Sequence, residues 1–403
     1  MKISIIGLGY VGLPLAIALG RVKSFEVVGF DIDVDRINQL RSGHDRNGEE
    51  SEIFEQHWKP TFDPSDLAHS DVFIVCVPTP INSDNSPDLF MLQSATKLIA
   101  KYLRFGNLVV YESTVWPGLT EDICGAMLQQ ESGLILNQHF SLGYSPERIN
   151  PGDREHTLRT VTKVIACSNS KDLVRMRMIY GSICRYYVAE SIKVAEAAKC
   201  IENIQRDVNI ALMNELKMLF DKMGIDTQAV LNASKTKWNF LDFKPGLVGG
   251  HCIGVDPYYL AAKAKEIGFD PKMILTGRHI NDNMPVYWFE KISSQLNMAV
   301  RPKILVLGCT FKANVSDIRN SKVFDLIRLF GLASCYIDVF DPLASKEQVK
   351  QETGIELLNS FDVSNYDAVI MAVNHSDLNV SIPPSVKVFD ISASMPIANN
   401  VVR

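Results

Sequence analysis

Short apolar runs, each closed by a glycine or a polar turn, recur along this chain and set its architecture. Lys2–Ile6 is a short, largely apolar run, as expected of a strand buried on both faces. Gly7-Leu8-Gly9-Tyr10-Val11-Gly12 follows, then a helix-like Leu13–Leu19, then a second strand, Glu26–Phe30, ending on Asp31. Further buried strands are expected at Asp71–Val77 and Leu108–Tyr111, with another apolar stretch at Phe140–Gly143. Lys193–Met223 has no internal glycine or proline and reads as one long helix, with Ile201, Ile204, Val208, Leu212 and Leu219 as an apolar stripe. A helical region extends to about Asn297, and then the opening pattern restarts. Lys303–Leu307 is followed by Gly308, Ile337–Phe340 ends on Asp341-Pro342, and Tyr366–Val373 is a third apolar strand. The sequence therefore predicts an α/β protein of two doubly wound Rossmann-like domains joined by a long central helix. The boundaries expected are 1–192, 193–300 and 301–403.

The first turn carries chemistry. Gly-x-Gly-x-x-Gly is a weak signal alone, but here it follows a strand, opens a helix and has an acid nineteen residues on. Gly7 permits the tight turn, Gly9 lets a pyrophosphate approach the backbone, and Gly12 lets helix and strand pack. Asp31 would accept hydrogen bonds from an adenosine ribose and repel a 2′-phosphate, which favours NAD over NADP; Arg36 lies near enough to bear on that choice. Ligands of open α/β sheets bind beyond the carboxyl ends of the strands. Thr79, Glu112, Ser113 and Thr114 are accordingly expected near the nicotinamide half of the cofactor.

Pro245–Leu260 is the second dense stretch, with Gly246, Gly249 and Gly250 before His251 and Cys252, and Gly254 and Asp256 after them. Such glycines let backbone approach a ligand closely, and a cysteine there is a candidate nucleophile as well as a candidate core residue. Tyr144–Gly152 is a polar loop in which Glu147 and Arg148 fit a surface pair or a site. Glu196, Lys199, Asn203 and Arg206 share a face of the long helix, which spacing alone reads as solvated. The restarted pattern lacks the dinucleotide glycines; its turn holds Lys312 with Arg319 beyond, which suits a different phosphate ligand.

Composition narrows the class. The chain has 403 residues, 46% hydrophobic and 22% charged, and a net charge of −5 without a dense basic run, so nucleic-acid binding gains no support. The eight cysteines (76, 124, 167, 184, 200, 252, 309 and 335) form no Cys-x-x-Cys pair. Neither a metal site nor a disulfide framework is expected, and a reducing, cytoplasmic setting fits. Glycines and Pro14 break the apolar N-terminus, which is read as strand, turn and helix rather than a signal peptide or membrane span.

Taken together, several motifs resemble those of the UDP-glucose/GDP-mannose dehydrogenase family over nearly the whole chain. They are Gly-Leu-Gly-Tyr-Val-Gly-Leu-Pro at 7–14, Val-Pro-Thr-Pro at 77–80, Glu-Ser-Thr-Val at 112–115 and Tyr-Ser-Pro-Glu-Arg at 144–148. Lys199 and Asn203 on the helix, Gly-Gly-His-Cys at 249–252 and Phe-Lys-x-Asn-x-x-Asp-x-Arg-Asn-Ser at 311–321 complete the set. The branch it looks most like is the bacterial UDP-N-acetylhexosamine 6-dehydrogenases of capsule, Vi-type and O-antigen synthesis.

The resemblance implies a four-electron oxidation of a sugar CH₂OH to a carboxylate with two NAD. Cys252 would carry a thiohemiacetal and then a thioester, with Lys199 and Asn203 stabilising oxyanions, Glu147 handling the hydrolytic water and Asp256 as a supporting acid. Tyr10 and Val11 would join the cofactor set, and Arg319 would reach the cofactor. Arg148, Gly249, His251 and Lys312 would join the substrate set, with Lys312 at the diphosphate. The UDP-glucose type typically has Ser where His251 stands and Lys where Val255 stands, and Pro is frequent where Gly254 stands. UDP-N-acetylglucosamine is the substrate favoured, with UDP-N-acetylgalactosamine or UDP-glucose as alternatives. A nucleotide-sugar sensor without chemistry would not need Cys252. A homodimer through the long helix is expected, with no nucleic-acid or membrane partner.

Overall fold

The computed structural model of this chain describes residues 1–47, 57–149, 155, 157–250, 253–392 and 400–402. Its described residues form two compact units, residues 1–202 with 258–269, and residues 203–257 with 270–403. The segment 193–300 is thus divided between them.

The first unit is built on eight strands: β1 (Lys2–Ile6), β2 (Glu26–Phe30), β3 (Trp58–Thr61), β4 (Val72–Val75), β5 (Asn107–Tyr111), β6 (Phe140–Tyr144), β7 (Lys163–Cys167) and β8 (Tyr186–Val188). Their order is β3-β2-β1-β4-β5-β6-β7-β8. Every neighbouring pair is parallel except β6 and β7, which run antiparallel with Tyr144 opposite Ala166. The order of the first six strands is that of a dinucleotide-binding sheet, whose direction of winding reverses between β1 and β4. Residues β1, β4 and β5 are buried almost throughout because helices cover both faces and leave no polar side to the strands. Val109, Tyr111 and Leu142 pack on one face; Ile3, Ile5, Leu108 and Val110 pack on the other.

The second unit contains a five-stranded, wholly parallel sheet: β9 (Lys303–Leu307), β10 (Tyr336–Phe340), β11 (Ala368–Met371), β12 (Lys387–Asp390) and β13 (Val401–Val402), ordered β10-β9-β11-β12-β13. It too is doubly wound, with cores on both faces. Gly7 and Gly308 hold the same place in the two sheets. Each follows the first strand with a left-handed backbone (φ +94° and +81°), and in each a Cβ would press on the chain beyond a neighbouring strand, tightly at Cys76 (3.0 Å) and in outright collision at Val373 (2.1 Å). The difference lies after the turn. In the first unit a helix begins at Gly12; in the second the next helix waits until Lys322, and the intervening loop carries Lys312 and Arg319.

The long helix spans Ile192–Met223, beginning one residue before the predicted start. Its buried side is partly polar, with Glu196, Lys199, Asp207, Asn214 and Lys217 all buried. Three members of the predicted apolar stripe, Ile201, Leu212 and Leu219, are instead about half exposed (57%, 50% and 49%). Among the described residues no helix is long and apolar enough to cross a membrane.

Candidate active site

The glycine turn of the first unit is shaped for a dinucleotide. A Cβ on Gly12 would fall 1.8 Å from the Gly7 carbonyl oxygen, so helix and turn approach as closely as backbone allows. Gly9 differs: nothing lies within 4 Å of where its Cβ would be, which leaves open space at the N-terminus of the helix for a pyrophosphate. Asp31 accepts hydrogen bonds from the N–H groups of Leu8 (2.8 Å) and Asp33 (3.0 Å), fixing the acid beside the turn. Arg36 is buried below it, its Nε donating to the Leu8 carbonyl at 3.0 Å and its Nη1 2.7 Å from Asp45 Oδ1. The guanidinium braces the turn. These residues fit NAD; when bound, it supplies the hydride acceptor.

Beyond β4 and β5, the Ser113 hydroxyl donates to the Val77 carbonyl at 2.6 Å, tying the two loops together. Thr79 and Thr114 are partly exposed on those loops, and Tyr10 and Val11 are partly exposed on the glycine turn. Glu112, expected beside Thr114, turns inward instead. Its carboxylate meets Lys163 Nζ at 2.7 Å and accepts from the Tyr180 hydroxyl at 2.6 Å, all three groups being buried.

Glu147 sits at the rim of this interior. Its Oε1 accepts from the N–H groups of Arg148 and Ile149, both at 2.6 Å, and its Oε2 lies 3.5 Å from Lys163 Nζ. Arg148 bridges to Glu202 of the long helix (2.9 Å) and donates to the Thr162 carbonyl (2.6 Å), so it anchors the loop.

Lys199 is buried, 6% exposed, on a helix end that is itself tied down. Glu196, one turn earlier, accepts from the N–H groups of Gly118 (2.5 Å) and Thr120 (2.9 Å). Burial pushes its carboxyl up to about 6 against the pull of those donors. Glu196 thereby joins the helix of Lys199 to the loop that follows Thr114, a role the solvated reading of that face missed.

In the second unit Asn203 Nδ2 donates to Asp256 Oδ2 at 2.5 Å, and Asp256 is 1% exposed. Asn214 clamps Gly246 from both sides, its Oδ1 accepting from the Gly246 N–H at 2.8 Å and its Nδ2 donating to the Gly246 carbonyl at 3.1 Å. A Cβ on Gly249 would lie 2.6 Å from the Asn320 carbonyl oxygen, and one on Gly250 would meet the Phe311 ring at 2.9 Å. Gly249 and Gly250 are thus required by close packing on the loop 309–321, whereas a Cβ on Gly246 would meet nothing within 4 Å. His251 and Cys252 lie outside the described residues.

That loop is pinned by a buried pair which the sequence did not flag. His375 Nδ1 accepts from the Asn314 N–H at 3.0 Å, which leaves the proton on Nε2, 3.1 Å from Asp341 Oδ2. Asp341 also accepts from Cys309 N–H (2.6 Å) and Ala344 N–H (2.9 Å). It occupies the position that Asp31 holds in the first sheet, but is 3% exposed and spends its oxygens on its own loop. Lys312 Nζ lies 5.5 Å above the Phe311 ring, and Arg319 is held by Asp317, with Nη2 to Oδ2 at 2.6 Å.

Burial alone would raise the Asp341 carboxyl; the His375 ring and the Cys309 and Ala344 N–H groups outweigh it and bring it from 3.8 to about 2. A carboxyl lowered on folding stabilises the fold above its unfolded value and loses that contribution as pH falls toward the folded one. The window here is pH 4 down to 2, and the contribution is about 2 kcal/mol. Asp341→Asn should therefore destabilise the protein by about 2 kcal/mol at neutral pH and flatten the acid limb of its stability curve. Urea melts from pH 7 to 2.5 read this directly; an unchanged acid limb in the variant would count against it.

A doubly wound sheet with this glycine turn, followed along the chain by a second doubly wound sheet with a basic loop, fits an NAD-dependent dehydrogenase of nucleotide-linked substrates. Residues 1–184 match the NAD-binding domain of the UDP-glucose/GDP-mannose dehydrogenase family, 193–283 its central domain and 305–392 its UDP-binding domain. The chain belongs to this family, and its cofactor is NAD. It is 48% identical over 388 residues to a UDP-N-acetyl-D-glucosamine 6-dehydrogenase of Salmonella typhi, covering 93% of this chain and 90% of the relative. It is 47% identical over 386 residues to the Pseudomonas aeruginosa protein of the same description, covering 94% and 91%. The solved structure of a UDP-D-ManNAc dehydrogenase from Pyrococcus horikoshii matches with a TM-score of 0.88 at 30% identity, over 100% of this chain and 98% of that one.

Proposed function

We propose that this protein oxidises the C6 hydroxymethyl group of UDP-N-acetylglucosamine to the carboxylate for surface-polysaccharide synthesis. The balance is one sugar, two NAD and one water giving the uronate, two NADH and three protons. The observation that carries the reading is the hydrogen bond from Asn203 to buried Asp256, which brings together, within the second unit, two of the residues that the family motifs assign to the chemistry.

Each residue then has a task. The Cys252 thiolate adds to the C6 aldehyde, so that the reactive intermediate stays bound, and leaves again when water attacks the thioester carbonyl. Lys199 and Asn203 stabilise the oxyanions formed at that carbon, and Lys199 also moves the hydroxyl proton. Asp256 holds Asn203. Glu147 takes the proton of the attacking water. Gly249, His251, Arg148 and Lys312 serve the substrate, with Lys312 at its diphosphate. Gly7, Gly9, Tyr10, Val11 and Gly12 receive the cofactor phosphates, Asp31 over Arg36 takes the ribose, and Thr79, Ser113, Thr114 and Arg319 complete the cofactor site.

The half-exposed stripe of Ile201, Leu212 and Leu219 supports a homodimer formed through the long helix. The cysteines described are all unpaired, which suits a reducing cytoplasm.

For the sugar, Val255 offers an apolar wall where the UDP-glucose type has a lysine; it is itself 3% exposed. The methyl of an N-acetyl group gains about 1 kcal/mol from burial, and the paired amide gains on the order of 1–3 kcal/mol. UDP-N-acetylglucosamine should therefore be preferred over UDP-glucose by roughly a hundredfold or more in kcat/KM. Steady-state assays with UDP-N-acetylglucosamine, UDP-N-acetylgalactosamine and UDP-glucose, counting NADH per sugar, test this. Two NADH and that preference support it; better turnover of UDP-glucose refutes the substrate, one NADH refutes the four-electron reaction, and none leaves a binding protein.

A further inference from the structure

Three charged groups meet at the edge of the first unit's interior, two of them buried. Lys163 begins β7, yet its side chain is only 2% exposed, and that of Glu112 at the end of β5 is fully covered. Lys163 Nζ stands 2.7 Å from Glu112 Oε2, 3.5 Å from Glu147 Oε2 and 5.6 Å from the centre of the Tyr180 ring. Tyr180 completes the set by donating to the other Glu112 oxygen at 2.6 Å. Burial pulls the Lys163 ammonium down, but Glu112 and Glu147 outweigh it and hold the proton on.

Such a buried pair is a poor device for stability, because desolvation consumes most of what the attraction returns. One carboxylate would also suffice to neutralise the lysine. The second, Glu147, is the member that reaches solvent, with 15% of its side chain exposed. Its Oε1 is occupied by two backbone N–H groups, so Lys163 is the group facing Oε2.

We propose that Lys163, itself held by Glu112 and Tyr180, is a positioning residue that aims Glu147 Oε2 at the water that hydrolyses the acyl-enzyme. An ammonium has three donors, and Lys163 spends one on Glu112 and turns another to Glu147. Removing it lets Oε2 swing about the Oε1 anchor, and a displacement of about 1 Å at a reacting group costs on the order of a hundredfold in rate. The inference rests on the reading of Glu147 given above, and the experiment separates the two.

Lys163→Met, Lys163→Arg, the pair Lys163→Met with Glu112→Gln, and Glu147→Gln are each mixed with UDP-N-acetylglucosamine and NAD. The reaction is quenched in acid, and the sugar-derived mass on the intact protein is measured beside a melting curve. The paired variant removes both buried charges and protects against failure to fold in the single one. The expected result is that Glu147→Gln and both Lys163→Met proteins accumulate acyl-enzyme and turn over about tenfold to a hundredfold more slowly, while Lys163→Arg recovers most of the rate. A folded paired variant that clears its acyl group as fast as the wild type, while Glu147→Gln accumulates it, overturns the positioning role alone. If Glu147→Gln also clears normally, the role of Glu147 falls and the inference with it.

Discussion

Cys252→Ala should lose conversion of the sugar to the acid by at least about three orders of magnitude, because removal of a covalent nucleophile costs that much or more. NAD binding should be unchanged, since the glycine turn and Asp31, which receive the cofactor, belong to the first unit and the substitution leaves them as they are. The thiol has a chemical reason to be there. An aldehyde at C6 is reactive and free to diffuse; as a thiohemiacetal it is held, and the next oxidation yields a thioester that water can cleave. Cys252→Ser separates capture from cleavage, since an oxygen ester hydrolyses more slowly and should leave the serine acylated. Stopped-flow NADH formation with product analysis decides the matter. Two NADH per sugar at a near-normal rate from Cys252→Ala would refute the covalent route.

The strands that the sequence placed to the residue are those buried on both faces. Lys2–Ile6, Glu26–Phe30 and Lys303–Leu307 are bounded as expected, because an apolar run ended by glycine or aspartate leaves little freedom in where a parallel strand stops. The edge strand Trp58–Thr61 was not legible: it contains Lys59 and Pro60, and only Thr61 is buried. β13 has two residues and owes its place to its neighbour β12.

The site divides the same way. Gly7, Gly9, Gly12 and Asp31 were readable because a backbone requirement is written locally, within one strand–turn–helix unit. The Glu112–Lys163 pair was not, since its members lie 51 residues apart and a lone lysine at the head of an apolar run reads as a solvated strand end. Arg278 and Asp207, buried together at 2.6 Å and 71 residues apart, escaped for the same reason. Asp341 was seen as a counterpart of Asp31 in position. Its different use depends on His375, 34 residues further on, which no local pattern connects to it.

The two glycines of the cofactor turn should fail in opposite ways when each receives one methyl group. At Gly12 the new Cβ would sit 1.8 Å from the Gly7 carbonyl oxygen, 3.0 Å from its carbon and 3.2 Å from Cys76 Cβ. The first two contacts are backbone, so no rotamer change relieves them; the turn and helix must part. Overpacking of this kind costs about 3 kcal/mol or more, and Gly12→Ala should melt well below the wild type without ligand and bind NAD poorly because the turn has moved. At Gly9 the Cβ would meet nothing within 4 Å. Gly9→Ala should leave melting of the free protein unchanged within error. Its NAD affinity should still fall by at least about tenfold, since the methyl enters the space left for pyrophosphate and displaces it from the helix N-terminus, the equivalent of one charge-assisted hydrogen bond. Calorimetric titration with NADH beside a melting curve of each free protein separates a folding defect from a ligand defect. A Gly9→Ala protein that binds NADH as tightly as the wild type would mean that the open space beside Gly9 is not where the phosphates lie, and a Gly12→Ala protein that melts normally would mean that the turn yields more easily than its geometry implies.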